Sequence, residues 1–209
     1  MNVRVQNIKP KYMSELEVSG SDIYLQNQIF FEKRKKYLLK ANSGHGKSSI
    51  LNFIYDCNKN YTGKIIFEGN EDDSIISVRI KKLSYVFQDF KLFPKLTLWE
   101  NIKIKNNLTN FKTDDHILKL IDKLGLSEKK DQLVETLSLG QRQRVSIIRS
   151  LCQPFDFLLL DEPFSHLDES NIEILTTILD QELEDQDAGF IMTTLNNEYF
   201  FKYDKILNL

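Results

Sequence analysis

One segment near the start of the chain combines the residue types that bind phosphate groups. Residues 41–49 contain two glycines, a lysine and two adjacent serines, between an apolar run at 37–39 and a helical pattern at 50–54. Glycines let successive backbone N–H groups wrap a phosphate, and the N-terminus of the following helix favours negative charge. The lysine can reach the outer phosphates, and a serine hydroxyl can bind Mg²⁺. The predicted nucleotide-binding residues are Ala41, Asn42, Ser43, Gly44, His45, Gly46, Lys47, Ser48 and Ser49.

This segment departs from the phosphate-loop pattern G-x-x-x-x-G-K-[ST] at its first position, where Ala41 stands in place of glycine. Alanine adds only a methyl group, so we expect the loop to keep its function. The alternative is a surface turn that is merely rich in serine, glycine and lysine. The strand–loop–helix context favours the nucleotide-binding interpretation.

A second candidate site lies where two carboxylates follow an apolar run. Residues 157–160 read Phe-Leu-Leu-Leu, and Asp161, Glu162 and Pro163 come next. A carboxylate at the end of a buried strand is costly unless it meets a cation, so Asp161 is a candidate Mg²⁺ ligand. Glu162 is a candidate base for polarising an attacking water. The alternative is a strand that simply turns at the surface. Beside a phosphate-binding loop, the pair favours hydrolysis of a nucleoside triphosphate.

Composition limits the kind of molecule that carries these sites. The chain has 209 residues, of which 41% are hydrophobic and 28% charged, with a formal net charge of −2. Such a chain can build one globular domain, and its weak net charge argues against nucleic acid as a partner. Two cysteines, Cys57 and Cys152, are too few for a disulfide framework or a zinc site and indicate a reducing compartment. We expect neither a signal peptide nor a membrane-spanning segment.

Apolar periodicity predicts strands early in the chain and mostly helices later. Strands are predicted around residues 3–5, 23–25, 29–31, 37–39, 65–67, 83–87 and 157–160. Gly63 and the pair Gly69-Asn70 are predicted to punctuate the strands as turns. Helices are predicted at 113–125, at 140–152 and over the apolar positions 172–183. The continuous apolar run at 157–160 is typical of a parallel strand buried on both faces.

A third motif, between the two candidate sites, points to a family. Residues 137–144 read Leu-Ser-Leu-Gly-Gln-Arg-Gln-Arg, which resembles the Leu-Ser-Gly-Gly-Gln signature motif of ATP-binding cassette (ABC) ATPases. Gln88 resembles the glutamine of the family's Q-loop. Residues 165–168 resemble its D-loop, with Asp168 as the characteristic acid. The motifs occur in the family's order over essentially the whole chain.

The resemblance implies an α/β fold. It implies a P-loop NTPase core, with a mostly parallel sheet flanked by helices, an N-terminal antiparallel β-subdomain and an inserted α-helical subdomain. A single ABC ATPase domain would cover residues 1–209. We expect the antiparallel β-subdomain and the P-loop core within 1–87, the helical lobe ending in the signature motif at 88–140, and the remainder of the core at 141–209.

The resemblance also implies ATP and Mg²⁺ as cofactors and roles for individual residues. Glu162 and Gln88 would be catalytic, and Mg²⁺ would be bound by Ser48, Gln88 and Asp161. Tyr12 is a candidate for stacking on adenine, with a structural role as the alternative. The residues that would contact ATP on a partner subunit are Ser138, Leu139, Gly140 and Gln141. The alternative for the serine of this set is a plain helix N-cap.

The implied function is that of the ATP-binding and ATP-hydrolysing subunit of an ABC transporter-type membrane complex. Two ATPase subunits, identical or different, would close head to tail around ATP and drive a transmembrane permease. The chain would then be cytoplasmic, peripheral on the inner face of the cell membrane. Residues 87–102 resemble the branch of lipoprotein-release, macrolide-export and cell-division ATPases. This segment contains four apolar residues that would either form a face for a partner's helix or pack the helical lobe against the core: Phe90, Leu92, Phe93 and Leu96.

Two departures from the family bear on activity. Leu139 replaces the first glycine of the signature pair, which would cost about 1–2 kcal/mol if that position needs a positive φ. The family's switch histidine should follow residues 190–194, where Leu195 and then Asn196 stand instead. Losing one transition-state donor costs on the order of 100- to 1000-fold in rate. The alternatives are a slow ATPase, a subunit that pairs with an intact one, a weakly catalytic regulatory subunit, or a soluble non-transport ABC ATPase.

Overall fold

The computed structural model describes residues 1–41, 46–69, 74–195 and 197–209. Its strands are β1 Asn2–Pro10, β2 Gln28–Phe31, β3 Lys36–Lys40, β4 Tyr61–Glu68, β5 Leu83–Val86, β6 Phe157–Asp161, β7 Gly189–Thr194 and β8 Lys205–Asn208. Its helices are α1 Lys47–Ile54, α2 Ile75–Lys81, α3 Leu98–Asn106, α4 Asp114–Lys123, α5 Leu139–Ser150 and α6 Glu169–Asp185. Short 3₁₀ helices cover Ser127–Lys129 and Val134–Thr136.

A parallel sheet with the strand order β5-β6-β7-β3-β8 forms the centre of the fold. Neighbouring strands place Asp161, Thr193 and Leu39 in line across β6, β7 and β3. The carboxyl ends of parallel strands meet at one edge, which is where such sheets bind ligands. The loop that follows β3 and the acidic end of β6 therefore share this edge. Two motifs that are about 120 residues apart in the chain are thus brought together.

Alternating residues of the parallel strands face two separate cores. Leu38 and Leu158 pack with the helices α3, α4, α5 and α6 on one face. Leu39 and Leu159 pack on the other face with α1 and with a second sheet of order β2-β1-β4. Burial on both faces explains why these strands read as unbroken apolar runs. The predicted α/β fold, with a mostly parallel sheet, flanking helices and a small antiparallel sheet, is confirmed.

The antiparallel sheet contradicts one predicted turn. Gly63 lies inside β4, where it has a φ of +87°. A Cβ there would come within 2.3 Å of the Gln6 carbonyl oxygen on β1. The pairing of β1 and β4 shifts register between Gln6 and Lys9. Gly63 thus lies opposite a β-bulge of β1 rather than at the end of a strand, and it must be glycine because the bulged backbone leaves no room for a Cβ.

A predicted strand at residues 23–25 is also wrong. These residues form turns, with Ile23 buried and Leu25 exposed. The Ser21 hydroxyl accepts hydrogen bonds from the backbone N–H groups of Ile23 at 3.1 Å and Tyr24 at 2.9 Å. A serine side chain that takes up backbone donors in this way competes with strand pairing. The alternation of apolar and polar residues was therefore not caused by a sheet.

The helices follow their predicted positions closely. Thr113 caps α4 by accepting a hydrogen bond from the N–H of His116 at 3.3 Å, and Gly125 follows that helix with a φ of +62°. Of the residues predicted to form an apolar face, Phe90 is buried, Leu92 packs against the core beside the helices and Phe93 is exposed. Among the described residues, no helix has the length and apolar character required to cross a membrane.

Candidate active site

Lys47 opens α1 directly after the predicted phosphate-binding loop. Its side chain is only 6% exposed. The ammonium donates to the carbonyl oxygen of Ala41 at 3.0 Å and lies 3.4 Å from Glu162 Oε1. Residues 42–45 of the predicted loop lie outside the described residues. The lysine and the candidate base from the two separate motifs are therefore ion-paired in one site.

The end of the loop is supported by a tyrosine that the sequence analysis did not single out. Gly46 has a φ of +82°, and a Cβ there would lie 2.9 Å from the hydroxyl of Tyr24. That hydroxyl donates to the Gly46 carbonyl oxygen at 3.0 Å. Burial, and then the neighbouring Tyr12, raise the pKa of Tyr24, so it stays a neutral donor. Tyr24 fixes the backbone from which α1 begins.

Asp161 ends β6 with a buried carboxylate that is 3% exposed. Its Oδ1 accepts a hydrogen bond from Thr193 Oγ1 at 2.7 Å, and its Oδ2 one from the Tyr85 hydroxyl at 3.5 Å. Burial raises the pKa of Asp161, although hydrogen bonds from Ser48 and Thr193 act in the opposite direction. A carboxylate whose charge is disfavoured in this way gains from a nearby cation.

The three residues predicted to bind Mg²⁺ line one cleft of about 1020 Å³. Ser48 Oγ lies 3.4 Å from Gln88 Oε1 and is hydrogen-bonded to Asp161. A hydroxyl, an amide oxygen and a carboxylate are the hard oxygen donors that Mg²⁺ prefers. In the part of the chain that the structure describes, no group of three or more His, Cys, Asp and Glu side chains could hold a metal. The three oxygen donors of Ser48, Gln88 and Asp161 fit Mg²⁺ completed by water or phosphate oxygens.

Glu162 has an unusual backbone. Its φ of +47° lies in the left-handed region, which costs a residue with a side chain about 1–2 kcal/mol. Its N–H donates to the carbonyl oxygen of Thr193 at 3.2 Å. This conformation turns the chain sharply after β6, and the Glu162 carboxylate then lies beside Lys47. Strain of this kind, held by its surroundings, is often found at functional sites.

The signature motif forms the N-terminus of α5. Ser138 and Gln141 make a capping box, with the Gln141 N–H donating to Ser138 Oγ at 3.3 Å and the Ser138 N–H donating to Gln141 Oε1 at 2.9 Å. Leu139 is the first residue of the helix, so no positive φ strains it, and its side chain is 48% exposed. A Cβ at Gly140 would lie 2.8 Å from the His166 carbonyl oxygen. Gly140 is therefore required where the signature helix meets the D-loop.

Asp168 of the D-loop caps α6. Its Oδ1 accepts hydrogen bonds from the N–H of Asn171 at 2.9 Å and from Ser170 Oγ at 2.9 Å. Hydrogen bonds from Asn171 and Ser170 lower the pKa of Asp168. Asn171 in turn accepts from Arg144 of α5 at 2.7 Å. The D-loop is thus fixed to the signature helix at this end as well.

Two side chains of α5 join the motifs, and the sequence analysis missed both. Gln143 donates to the carbonyl oxygen of Glu162 at 3.2 Å and accepts from the N–H of His166 at 3.0 Å. Arg149 donates to the carbonyl oxygens of residues 90–91, just after the Q-loop glutamine, at 2.7 and 2.8 Å. The available signal for Gln143 was the Gln-Arg-Gln-Arg run at residues 141–144, whereas Arg149 lies beyond that run and had none.

Two further residues singled out from the sequence, Tyr12 and Leu195, lie near the ends of elements that form the site. The hydroxyl of Tyr12 hydrogen-bonds that of Ser49 on α1, and its ring is half-exposed. Tyr12 is therefore next to the predicted loop, as a residue that stacks on a bound base would need to be. Leu195 follows β7 and is 47% exposed. Asn196 lies outside the described residues.

Comparison with known proteins identifies the family. A family model described as "ABC transporter" matches residues 28–165. The cell division ATP-binding protein FtsE of Bacillus subtilis is 33% identical over 164 residues, which cover 75% of this chain and 71% of FtsE. The lipoprotein-releasing system ATP-binding protein LolD of Francisella tularensis is 28% identical over 215 residues, covering 98% and 91%. These two names match the branch predicted from residues 87–102, but ATP-binding proteins for sulfate/thiosulfate import and thiamine import match at 34% and 31% identity, so the branch stays a prediction.

A solved structure has the same fold. It is a dimeric, post-hydrolysis state of the ATP-binding cassette MJ0796 bound to ADP and Pi. It superposes with a TM-score of 0.77 over 99% of this chain and 94% of that chain, at 24% identity. The predicted family is confirmed by these matches: the chain belongs to the ABC transporter family, among its ATP-binding ATPase subunits.

Proposed function

We propose that this chain binds and hydrolyses ATP as one of two ATPase subunits that drive a transmembrane permease. The observation that carries the proposal is the convergence of two distant motifs at one sheet edge. Lys47 of the phosphate loop lies 3.4 Å from the carboxylate of Glu162, and Ser48 lies 3.4 Å from Gln88. The lysine, the candidate base and the oxygen donors therefore lie at the same edge of the sheet, where Ser48, Gln88 and Asp161 line one cleft.

Each of these residues has a separate chemical task. The N-terminus of α1 and the Lys47 ammonium bind the phosphates of ATP. Ser48, Gln88 and Asp161 would hold Mg²⁺, which would neutralise negative charge on the phosphates of ATP. Glu162 accepts the proton of the attacking water. Its ion pair with Lys47 breaks when the Lys47 ammonium binds the phosphates of ATP. Residues 41–46 and Ser49 complete the phosphate contacts, and Tyr12 stacks on the base.

The second half of the proposal concerns assembly. Ser138–Gln141 face the ATP held by a second ATPase subunit, and Asp168 belongs to the same interface. The helical lobe at residues 88–140 passes the change around Gln88 to a membrane partner. The chain acts at the cytoplasmic face of the membrane through that partner. The matches to FtsE and LolD support this arrangement.

Nucleotide binding tests the loop directly. We expect Lys47→Ala to weaken ATP binding at least 100-fold in an equilibrium titration with a fluorescent ATP analogue, because the buried ammonium is lost. Lys64→Ala, an exposed lysine of β4, serves as the matched control and should leave the affinity unchanged. An unchanged affinity in Lys47→Ala would refute the assignment of the loop.

A catalytically weak, regulatory subunit is the second candidate, and Leu195 favours it. A leucine offers no hydrogen bond at the position where the family carries its switch histidine. Steady-state turnover separates the candidates. Robust hydrolysis by the chain alone, abolished in Glu162→Gln, would reject the weak subunit. For a weak subunit, Leu195→His should raise turnover by on the order of 100-fold, whereas Leu195→Asn is the polar control.

A further inference from the structure

The backbone of Glu162 is held on both sides of its Cα. Its N–H donates to the Thr193 carbonyl oxygen at 3.2 Å, and its carbonyl oxygen accepts from Gln143 Nε2 at 3.2 Å. The N–H of Ser165 donates to the same carbonyl oxygen at 3.4 Å. The next residue is Pro163, which has no N–H to anchor the turn. With both flanking peptide groups fixed, the direction of the Glu162 Cα–Cβ bond is fixed as well, and the ion pair with Lys47 holds the carboxylate at its end.

Gln143 reaches two different points of this turn with the two ends of its amide. The side chain is 2% exposed. Its NH₂ group donates to the Glu162 carbonyl oxygen, and its oxygen accepts from the N–H of His166 at 3.0 Å. Only an amide offers a donor and an acceptor at this length, because glutamate presents acceptors alone and leucine presents neither. Gln143 therefore ties residues 162–166 to α5.

We propose that Gln143 is a positioning residue for Glu162, which it holds through the backbone so that the carboxylate stays beside Lys47. This rests on the proposed function, in which Glu162 accepts the proton of the attacking water. A buried hydrogen bond that only stabilised the fold would change binding and turnover together. One that orients the base changes turnover alone, since misplacing a catalytic group by about 1 Å can cost 100-fold in rate.

Steady-state kinetics of the full chain provide the first test. We expect Gln143→Leu to lower kcat for ATP hydrolysis about 10- to 100-fold while KM and nucleotide affinity stay within about twofold. Ser146→Ala is the matched control, because Ser146 is equally buried on α5 and its hydroxyl donates to the Gln143 carbonyl oxygen within the helix at 2.8 Å. Its kcat should stay at the wild-type value. A parallel loss of affinity in Gln143→Leu would overturn the proposal.

A double variant tests whether Gln143 acts through Glu162. In a Glu162→Gln background, adding Gln143→Leu should lower kcat no further, because the group that it positions is gone. A further loss by the same factor would overturn the proposal. If the wild type hydrolyses ATP and Gln143→Leu keeps its kcat, the positioning role fails alone. If the wild type neither binds nor hydrolyses ATP, the proposed function fails instead.

Amide hydrogen exchange gives a readout that does not depend on activity. In Gln143→Leu, exchange of the His166 N–H should rise at least about tenfold while β6 stays protected. Gln143→Glu keeps the acceptor for His166 but not the donor for Glu162. It should therefore leave His166 exchange slow and still lower kcat as far as Gln143→Leu does. Unchanged exchange in Gln143→Leu, or full activity in Gln143→Glu, would overturn the proposal.

Discussion

Two aspartates bracket the same buried strand and have opposite surroundings. Asp156 directly precedes β6 and binds three cations, with the Met1 amine at 3.0 Å, Lys33 at 3.1 Å and Lys82 at 3.3 Å. Although its burial acts to raise the pKa, hydrogen bonds from the amine and Lys33 lower the pKa of Asp156 overall. At the other end, burial raises the pKa of Asp161.

We infer from this difference that Asp156 serves the fold, whereas Asp161 is suited to the Mg²⁺ ion of the proposed function. At the amino edge of the sheet, the cations that satisfy Asp156 belong to the protein. At the carboxyl edge, Asp161 is surrounded mainly by hydroxyl groups, from Thr193, Tyr85 and Ser48. A buried carboxylate with polar but weakly charged neighbours suits a cation that arrives with the substrate.

The sharpest way to break this comparison is to replace Asp161. We expect Asp161→Asn to lower Mg²⁺-dependent ATP hydrolysis by about 1000-fold, because the charged ligand of the metal is lost. Thermal unfolding should show no loss of stability, since the substitution removes a poorly compensated buried charge. Hydrolysis assays over a Mg²⁺ titration measure the first effect. Activity that survives in Asp161→Asn would place the metal elsewhere.

The same substitution at the other end of the strand should have the reverse result. Asp156→Asn should lower the free energy of unfolding by about 2–3 kcal/mol, because three cations lose a partner at a mostly buried site. Activity per folded molecule should not change. Urea unfolding measures the first quantity, and hydrolysis at a temperature well below the transition measures the second. Equal stability of variant and wild type would mean that the ion pairs contribute nothing.

The pH dependence of stability gives a further test of the difference between Asp156 and Asp161, with a smaller expected effect than either substitution. Because the pKa of Asp156 is lowered in the folded protein, its contribution is fully present above the ordinary aspartate value of about 3.9 and is lost as the pH falls through the folded value. The stability difference between wild type and Asp156→Asn should therefore be constant from about pH 5 to 7 and shrink as the pH falls below about 4. A difference that is independent of pH down to 3 would contradict this assignment.

Local sequence patterns were enough to predict most of the helices and strands and the two motifs that form the candidate site. Helices such as α4 and α6 were predictable because apolar spacing, caps and glycines act within a few residues. Asp161 and Glu162 could be singled out because a charged pair after a buried apolar run is costly unless it meets a cation, and their roles stay predictions. The strand predicted at residues 23–25 was wrong because the backbone N–H groups of this segment donate to the hydroxyl of Ser21 and not to a neighbouring strand.

The contacts that hold the site could not be predicted in this way. Gln143 is separated by 19 residues from Glu162 and by 23 from His166, and Tyr24 by 22 from Gly46. All three are hydrogen bonds between a side chain and a distant backbone group. Such bonds depend on where the backbone arrives in space, and they leave no periodic pattern in the sequence. The fold and the candidate reactive residues could therefore be predicted from the sequence. The hydrogen bonds that hold those residues in place could not.

Helix α5 has a mechanical consequence. Its amino end meets the D-loop, where Gly140 approaches the His166 carbonyl oxygen, and its last turn holds the carbonyl oxygens of residues 90–91 through Arg149. A helix of 12 residues is a stiff rod about 18 Å long. The signature end and the segment after Gln88 are therefore joined by one rigid element, so a displacement at one would be passed to the other through the helix.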